Sequence, residues 1–188
     1  MNGHSTPSQT VGPFFSIGFD WMTRSDLAPG IRKDKIVIRG RILDGDGKPV
    51  PDAVLEIWQA DANGHYPDPN EEPGPARSDG FVGFGRVATN DDGEFSFTTI
   101  KPGPLANPDE SRQAPHLQIS LFMRGLLLRL VTRMYFPDDP LNSSDFVLGR
   151  VPETRRNTLI ARRAASGDNA LEWNVHLQGD EETVFFDC

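Results

Sequence analysis

The feature that most constrains this chain is a period-two alternation of apolar and polar residues, carried in short runs and broken repeatedly by Gly, Asp, Asn and Pro. Successive side chains of an extended strand point to opposite faces, so such runs read as strands with one face on a core. Ile36, Ile38 and Ile42 fall on one side of the first run, and Lys35, Val37, Arg39 and Arg41 on the other. DGDGKPV then reads as a turn, and VLEIW from Val54 as an apolar run suited to an inner strand. GFVGFGRVAT and GEFSFTTI are separated by Asn90-Asp91-Asp92-Gly93, which predicts a hairpin with Phe95 and Phe97 on one face. PHLQISLFM and LLLRLVTRMYF, joined through Arg124-Gly125, supply two more strands. Leu171, Trp173, Val175 and Leu177 alternate with polar residues near the end, and EETVFF is able to pair at an edge.

The expected fold is therefore all-β: a β-sandwich of mixed, mainly antiparallel strands with long loops and one short helix. The helix candidate is PETRRNTLIARRAA, opened by Pro152 and Glu153 and closed by Ser166-Gly167. Its Arg155, Arg156, Arg162 and Arg163 read as a solvated face, with a subunit contact as the alternative. Two long segments, His65 to Gly80 and Lys101 to Pro115, lack strand character, and at the ends of a sandwich such loops are where sites are built.

A chain of 188 residues supports one well-buried core. Its expected organisation is an N-terminal arm over residues 1–30, packing on a partner subunit, followed by one sandwich domain over residues 31–188. A formal charge of −8 argues against nucleic acid, which calls for clustered Lys and Arg. The single cysteine, Cys188, forms no intrachain disulfide and reads as a free thiol. The first twenty residues lack a basic stretch followed by an apolar one, and no segment approaches the roughly 20 apolar residues of a membrane span. The expectation is a cytoplasmic protein with neither a signal peptide nor a membrane anchor.

Chemistry points to the strand from His116. Leu117, Ile119, Leu121 and Met123 share one face, while His116, Gln118, Ser120 and Arg124 share the other with Phe122 among them. Two readings stand on the residues alone: the wall of a polar pocket, or a water-facing surface with an ordinary histidine. Tyr135, inside RMYF, reads as structural. Phe14, Phe15, Phe19 and Trp21 of the arm would expose apolar surface unless they packed on something.

The segments TPSQTVGPFF from Thr6, VLEIWQADANGHY from Val54, IKPGP from Ile100, APHLQISLFMRG from Ala114, RRNTLIARR from Arg155 and ETVFFD from Glu182 together resemble, in this order, the protocatechuate 3,4-dioxygenases of the intradiol ring-cleaving family. That resemblance implies paired alpha-type and beta-type chains, with a non-haem Fe(III) held in the beta-type chain by two tyrosines and an H-x-H pair. Here Tyr66 matches the first tyrosine and His116 the first histidine. Leu105 follows IKPGP where the second tyrosine would stand, and Gln118 replaces the second histidine. A ferric ion needs anionic oxygen donors and imidazole; Leu105 offers no donor atom and Gln118 a neutral amide.

The expectation is an alpha-type chain with no metal of its own and vestigial positions at Tyr66, Leu105, His116 and Gln118. It would work with a beta subunit that carries the Fe(III), in a higher hetero-oligomer of such pairs. The resemblance assigns it part of the substrate pocket: Thr10, Gly12 and Pro13 in the arm, and Arg124 for the substrate carboxylate. The implied reaction, in aromatic catabolism through the beta-ketoadipate pathway, inserts both atoms of O₂ into 3,4-dihydroxybenzoate and gives 3-carboxy-cis,cis-muconate. The alternative is a non-enzymatic sandwich that serves as a binding or accessory domain.

Overall fold

The computed structural model describes residues 6–12, 14–18, 20–66, 80–107, 111–165 and 169–187. Its strands are β1 Lys35–Leu43, β2 Val54–Trp58, β3 Phe84–Ala88, β4 Glu94–Ile100, β5 Leu105–Ala106, β6 Arg112–Gln113, β7 His116–Phe122, β8 Leu130–Tyr135, β9 Arg162–Arg163, β10 Ala170–Glu172 and β11 Val175–His176. One sheet is built on β1, which pairs antiparallel with β4 and, on its other side, parallel with β10 and then β11, while β9 pairs with β10. The other sheet runs β3-β2-β7-β8, antiparallel throughout, and β5 and β6 form a small third pair.

The alternation seen in the sequence places the core. Ile38, Ile42, Phe95, Phe97, Leu171, Trp173 and Val175 of the first sheet meet Leu55, Ile57, Val87, Leu117, Ile119, Leu121 and Met134 of the second in one buried cluster. Phe95 and Phe97 do share a face, with ring centroids 6.4 Å apart. The terminal segment lies beside β8, where Phe186 N–H donates to Val131 O at 2.8 Å and Thr132 Oγ1 to Val184 O at 2.7 Å.

Several expectations are corrected. Asn90–Gly93 does turn the chain, and Asn90 Oδ1 accepts from Asp92 N–H at 3.0 Å and Glu94 N–H at 2.8 Å. The strands on either side nevertheless make no hairpin, because β3 bonds β2 in one sheet and β4 bonds β1 in the other. Residues 24–27 take the free edges of both: Arg24 exchanges hydrogen bonds with Arg86, while Thr98 N–H donates to Ser25 O at 2.6 Å and Leu27 N–H to Thr98 O at 2.9 Å. This part of the 1–30 segment is thus stitched into the sandwich, with Leu27 and Ala28 fully buried.

The helix expected from Pro152 shrinks to α3, Glu153–Arg156, followed by a 3-10 turn over Asn157–Leu159. Leu159 and Ala161 are buried, and Ala161 N–H donates to Tyr135 O at 3.0 Å, so pairing with the end of β8 overrides helical propensity. The arginines divide accordingly. Arg155 donates to Glu182 and Arg156 to the carbonyls of Val151 and Gly149, while Arg162 and Arg163 are exposed on β9. Short helices also form at α1, Phe14–Gly18, and α2, Phe146–Arg150. The 101–115 segment contains the β5–β6 pair rather than lacking strands. Ser166, Gly167 and Cys188, and much of the loop before Gly80, lie outside the described residues.

Candidate functional site

The outer face of the second sheet carries two groups of candidate residues, one toward each end of β7. At its start the register sets His116 against Tyr135 and Gln118 against Arg133, while in the small third sheet Leu105 lies against Gln113. Arg133 joins these pieces: its Nη1 donates to Gln113 Oε1 at 2.9 Å and to Tyr135 Oη at 3.4 Å. Tyr66 lies within the electrostatic reach of the same groups, its phenol sensing the charge of Arg133 and the Gln118 carboxamide. Gln118 thus lies across from Arg133 itself, and His116 and Leu105 across from the two residues that Arg133 bonds.

His116 is 2% exposed, which removes the reading of a surface histidine. Its Nδ1 lies 2.8 Å from Ala114 O; a carbonyl can only accept, so Nδ1 carries the proton and Nε2 holds a lone pair. That Nε2 is buried without a hydrogen-bond partner. Burial, and then the charge of Arg133, push the imidazole pKa down to about 4, against the opposing pull of the Ala114 carbonyl and of Asp145. The ring is neutral at pH 7.

Tyr135 is fully buried, with its hydroxyl donating to Asp145 Oδ1 at 3.1 Å and its phenol pKa pushed up to about 12, mainly by burial. Asp145, 2% exposed, also accepts from Val147 and Leu148 N–H at the start of α2 and from Ala114 N–H at 2.8 Å. The Tyr66 phenol is likewise raised by burial, with Arg133 and the Gln118 hydrogen bond acting the other way.

Set against the ferric site that the resemblance implies for beta-type chains, this cluster does not fit. His116 offers one buried lone pair, and Tyr66, though 38% exposed, is a phenol whose partial desolvation disfavours the anion. Leu105 contributes hydrocarbon, Gln118 a neutral carboxamide, and the fixed positive charge of Arg133 stands beside them.

The second group lies beyond the other end of β7. His116 and Arg124 are separated by roughly 25 Å of extended chain, so they do not belong to one pocket. Arg124 Nε bonds Asp52 Oδ2, leaving a guanidinium whose side chain is 55% exposed. The next residue ties in the arm, since Gly125 N–H donates to Thr10 Oγ1 at 2.7 Å. Phe15 packs on Phe122 with centroids 5.7 Å apart, whereas Phe14, Ile17, Trp21, Leu127 and Leu128 are exposed. Gly12 lies on the arm just before α1, and Pro13 and Phe19 lie outside the described residues. Thr10, Gly12 and Arg124 are thus carried on the arm and the β7–β8 loop, which the Thr10–Gly125 bond joins.

Sequence reasoning missed Arg133, Gln113, Asp145 and the ion pair of Asp52 with Arg124. A signal for the first existed: folding the β7–β8 hairpin about Gly125 and Leu126 sets Arg133 opposite Gln118.

Comparison with known proteins follows the same lines. Residues 21–179 match a family model described as Dioxygenase. The protocatechuate 3,4-dioxygenase alpha chain of Pseudomonas putida is 41% identical, over 97% of this chain and 96% of its own length. The beta chain of the corresponding Burkholderia cepacia enzyme is 40% identical over 80% of this chain and 67% of its own. Among solved structures, hydroxyquinol 1,2-dioxygenase from Pseudomonas putida DLL-E4 superimposes with a TM-score of 0.63 at 22% identity, covering 94% of this chain and 63% of that one, a likeness of fold. With a family model spanning most of its length and an alpha chain matching it nearly end to end, the chain belongs to the intradiol dioxygenase family.

Proposed function

We propose that this chain is the alpha-type half of a protocatechuate 3,4-dioxygenase, binding no iron itself and completing a substrate pocket beside a beta-type partner that holds Fe(III). The observation that carries this reading is the donor-poor cluster at Tyr66, Leu105, His116 and Gln118 in a chain matching a curated alpha chain over 97% of its length.

The iron, held by the partner, supplies Lewis acidity toward the two catechol oxygens of 3,4-dihydroxybenzoate. The contribution of this chain is charge and position. Arg124 meets the substrate carboxylate with the guanidinium edge that Asp52 leaves free, and Asp52 holds the group in one orientation. Thr10 anchors the arm to the β7–β8 loop, Gly12 admits close approach of backbone to ligand, and Pro13 directs the chain away. Ring cleavage with O₂ then yields 3-carboxy-cis,cis-muconate. The exposed Phe14, Ile17, Trp21, Leu127 and Leu128 form the surface that the partner covers, the arm before Arg24 packing there too, and such pairs assemble into a higher hetero-oligomer in the cytoplasm.

Co-expression with a beta-type chain carrying two tyrosines and an H-x-H pair tests this reading. The expected product is a coloured complex of the two chains that consumes O₂ with protocatechuate. A beta-type chain that is fully active alone and never retains this one would leave it an accessory sandwich instead.

A further inference from the structure

The guanidinium of Arg133 has no part in the substrate pocket proposed above. It is a cation on the outer face of a sheet, among a phenol, an imidazole lone pair and two carboxamides. These are the kinds of group that would otherwise turn toward a metal ion. Its Nη1 satisfies Gln113 Oε1 and Tyr135 Oη together, and its strand position faces Gln118 directly. Gln113 in turn lies opposite Leu105, so the same side chain links the two positions that lack donors.

We propose that Arg133 is the resident cation of this cluster: its guanidinium takes the charge position that a metal ion would need, holds the surrounding polar groups in order, and keeps metal out. On this view the absence of two donors is only half of the barrier. An incoming ferric ion would meet a fixed positive charge across the strand pair from Gln118 in a partly desolvated site, and Gln113 and Tyr135 already accept hydrogen bonds from that charge. The inference concerns only the chain's own metal chemistry and stands apart from whether it pairs with a beta-type partner.

The test restores donors with and without the cation. One full-length variant carries Leu105→Tyr and Gln118→His; a second adds Arg133→Gln, and a third adds Arg133→Lys to the same pair. Each is purified, incubated with ferrous salt in air and desalted. Bound iron per chain, the visible tyrosinate-to-iron band and a thermal melt are then recorded. The expected result is at least tenfold more iron, with the band, in the Arg133→Gln background than in the other two, the lysine variant showing that charge rather than bulk excludes the metal. Equal iron with and without Arg133→Gln, whether full or absent, overturns the proposal. So does exclusion lost in the lysine variant. If the Arg133→Gln chain does not fold, Arg133→Met in the same pair takes its place: at least tenfold more iron than in the two-site variant supports the proposal, and equal iron refutes it.

Discussion

At the scale of single residues, His116 couples the interior to pH. In the native chain its pKa is about 4, below the 6.5 of an unperturbed imidazole. Between those values the unfolded chain takes up a proton that the native ring refuses, so native stability falls as pH drops from 6.5 toward 4 and levels off below. The shift corresponds to about 3 kcal/mol. Urea unfolding at closely spaced pH values should show this loss, and His116→Gln should flatten it; an unchanged slope would place the acid sensitivity elsewhere. Arg124 has a kinetic signature instead. In the two-chain enzyme, Arg124→Ala should lower kcat/KM by about tenfold or more, the size of a lost charge-assisted hydrogen bond, with iron content unaltered. Unchanged steady-state kinetics would remove the residue from the pocket. Leu105 and Gln118 were legible in the sequence because a missing donor is visible in a single letter. Arg133 was not, because its meaning depends on which residue lies across the hairpin, and Asp145 reaches Tyr135 through tertiary structure alone.

At the scale of elements, β1 shows how close approach sets topology. A side chain at Gly40 would drive its Cβ into the carbonyl of Trp173, at the point where the chain leaves β10 and rejoins β1 as β11. Trp173 N–H donates to Arg39 O at 3.0 Å, which fixes that approach. Gly40→Ala should therefore cost about 3 kcal/mol by forcing the parallel strands away, read as a lowered midpoint in denaturant; a change within a few tenths of wild type would contradict the packing described. Alternation made β1, β4 and β7 legible, and apolar runs bounded by turn residues did the same for β2 and β8. The hairpin at Asn90–Gly93 misled because a turn signal is local while strand partnership is not. Its flanking edges were claimed by residues 24–27, from far earlier in the chain. The helix from Pro152 was overread for a related reason, since burial of Leu159 and Ala161 against β8 outweighs the propensity of the following residues.

At the scale of the whole molecule, the chain divides its polar outer face between a closed cluster and an open edge. The cluster around Arg133 is tied together by its own hydrogen bonds, with only the buried His116 Nε2 left without a partner, whereas the end bearing Arg124, the arm and the β7–β8 loop presents a charge beside exposed apolar side chains. That contrast is what the proposed function calls for, with turnover on a second chain. Metal analysis of this chain purified alone, with its visible spectrum, tests that most directly. Far less than one iron per chain, without a tyrosinate-to-iron band, is the expected result; one tightly held iron per chain, with the band and with cleavage of protocatechuate, would contradict it.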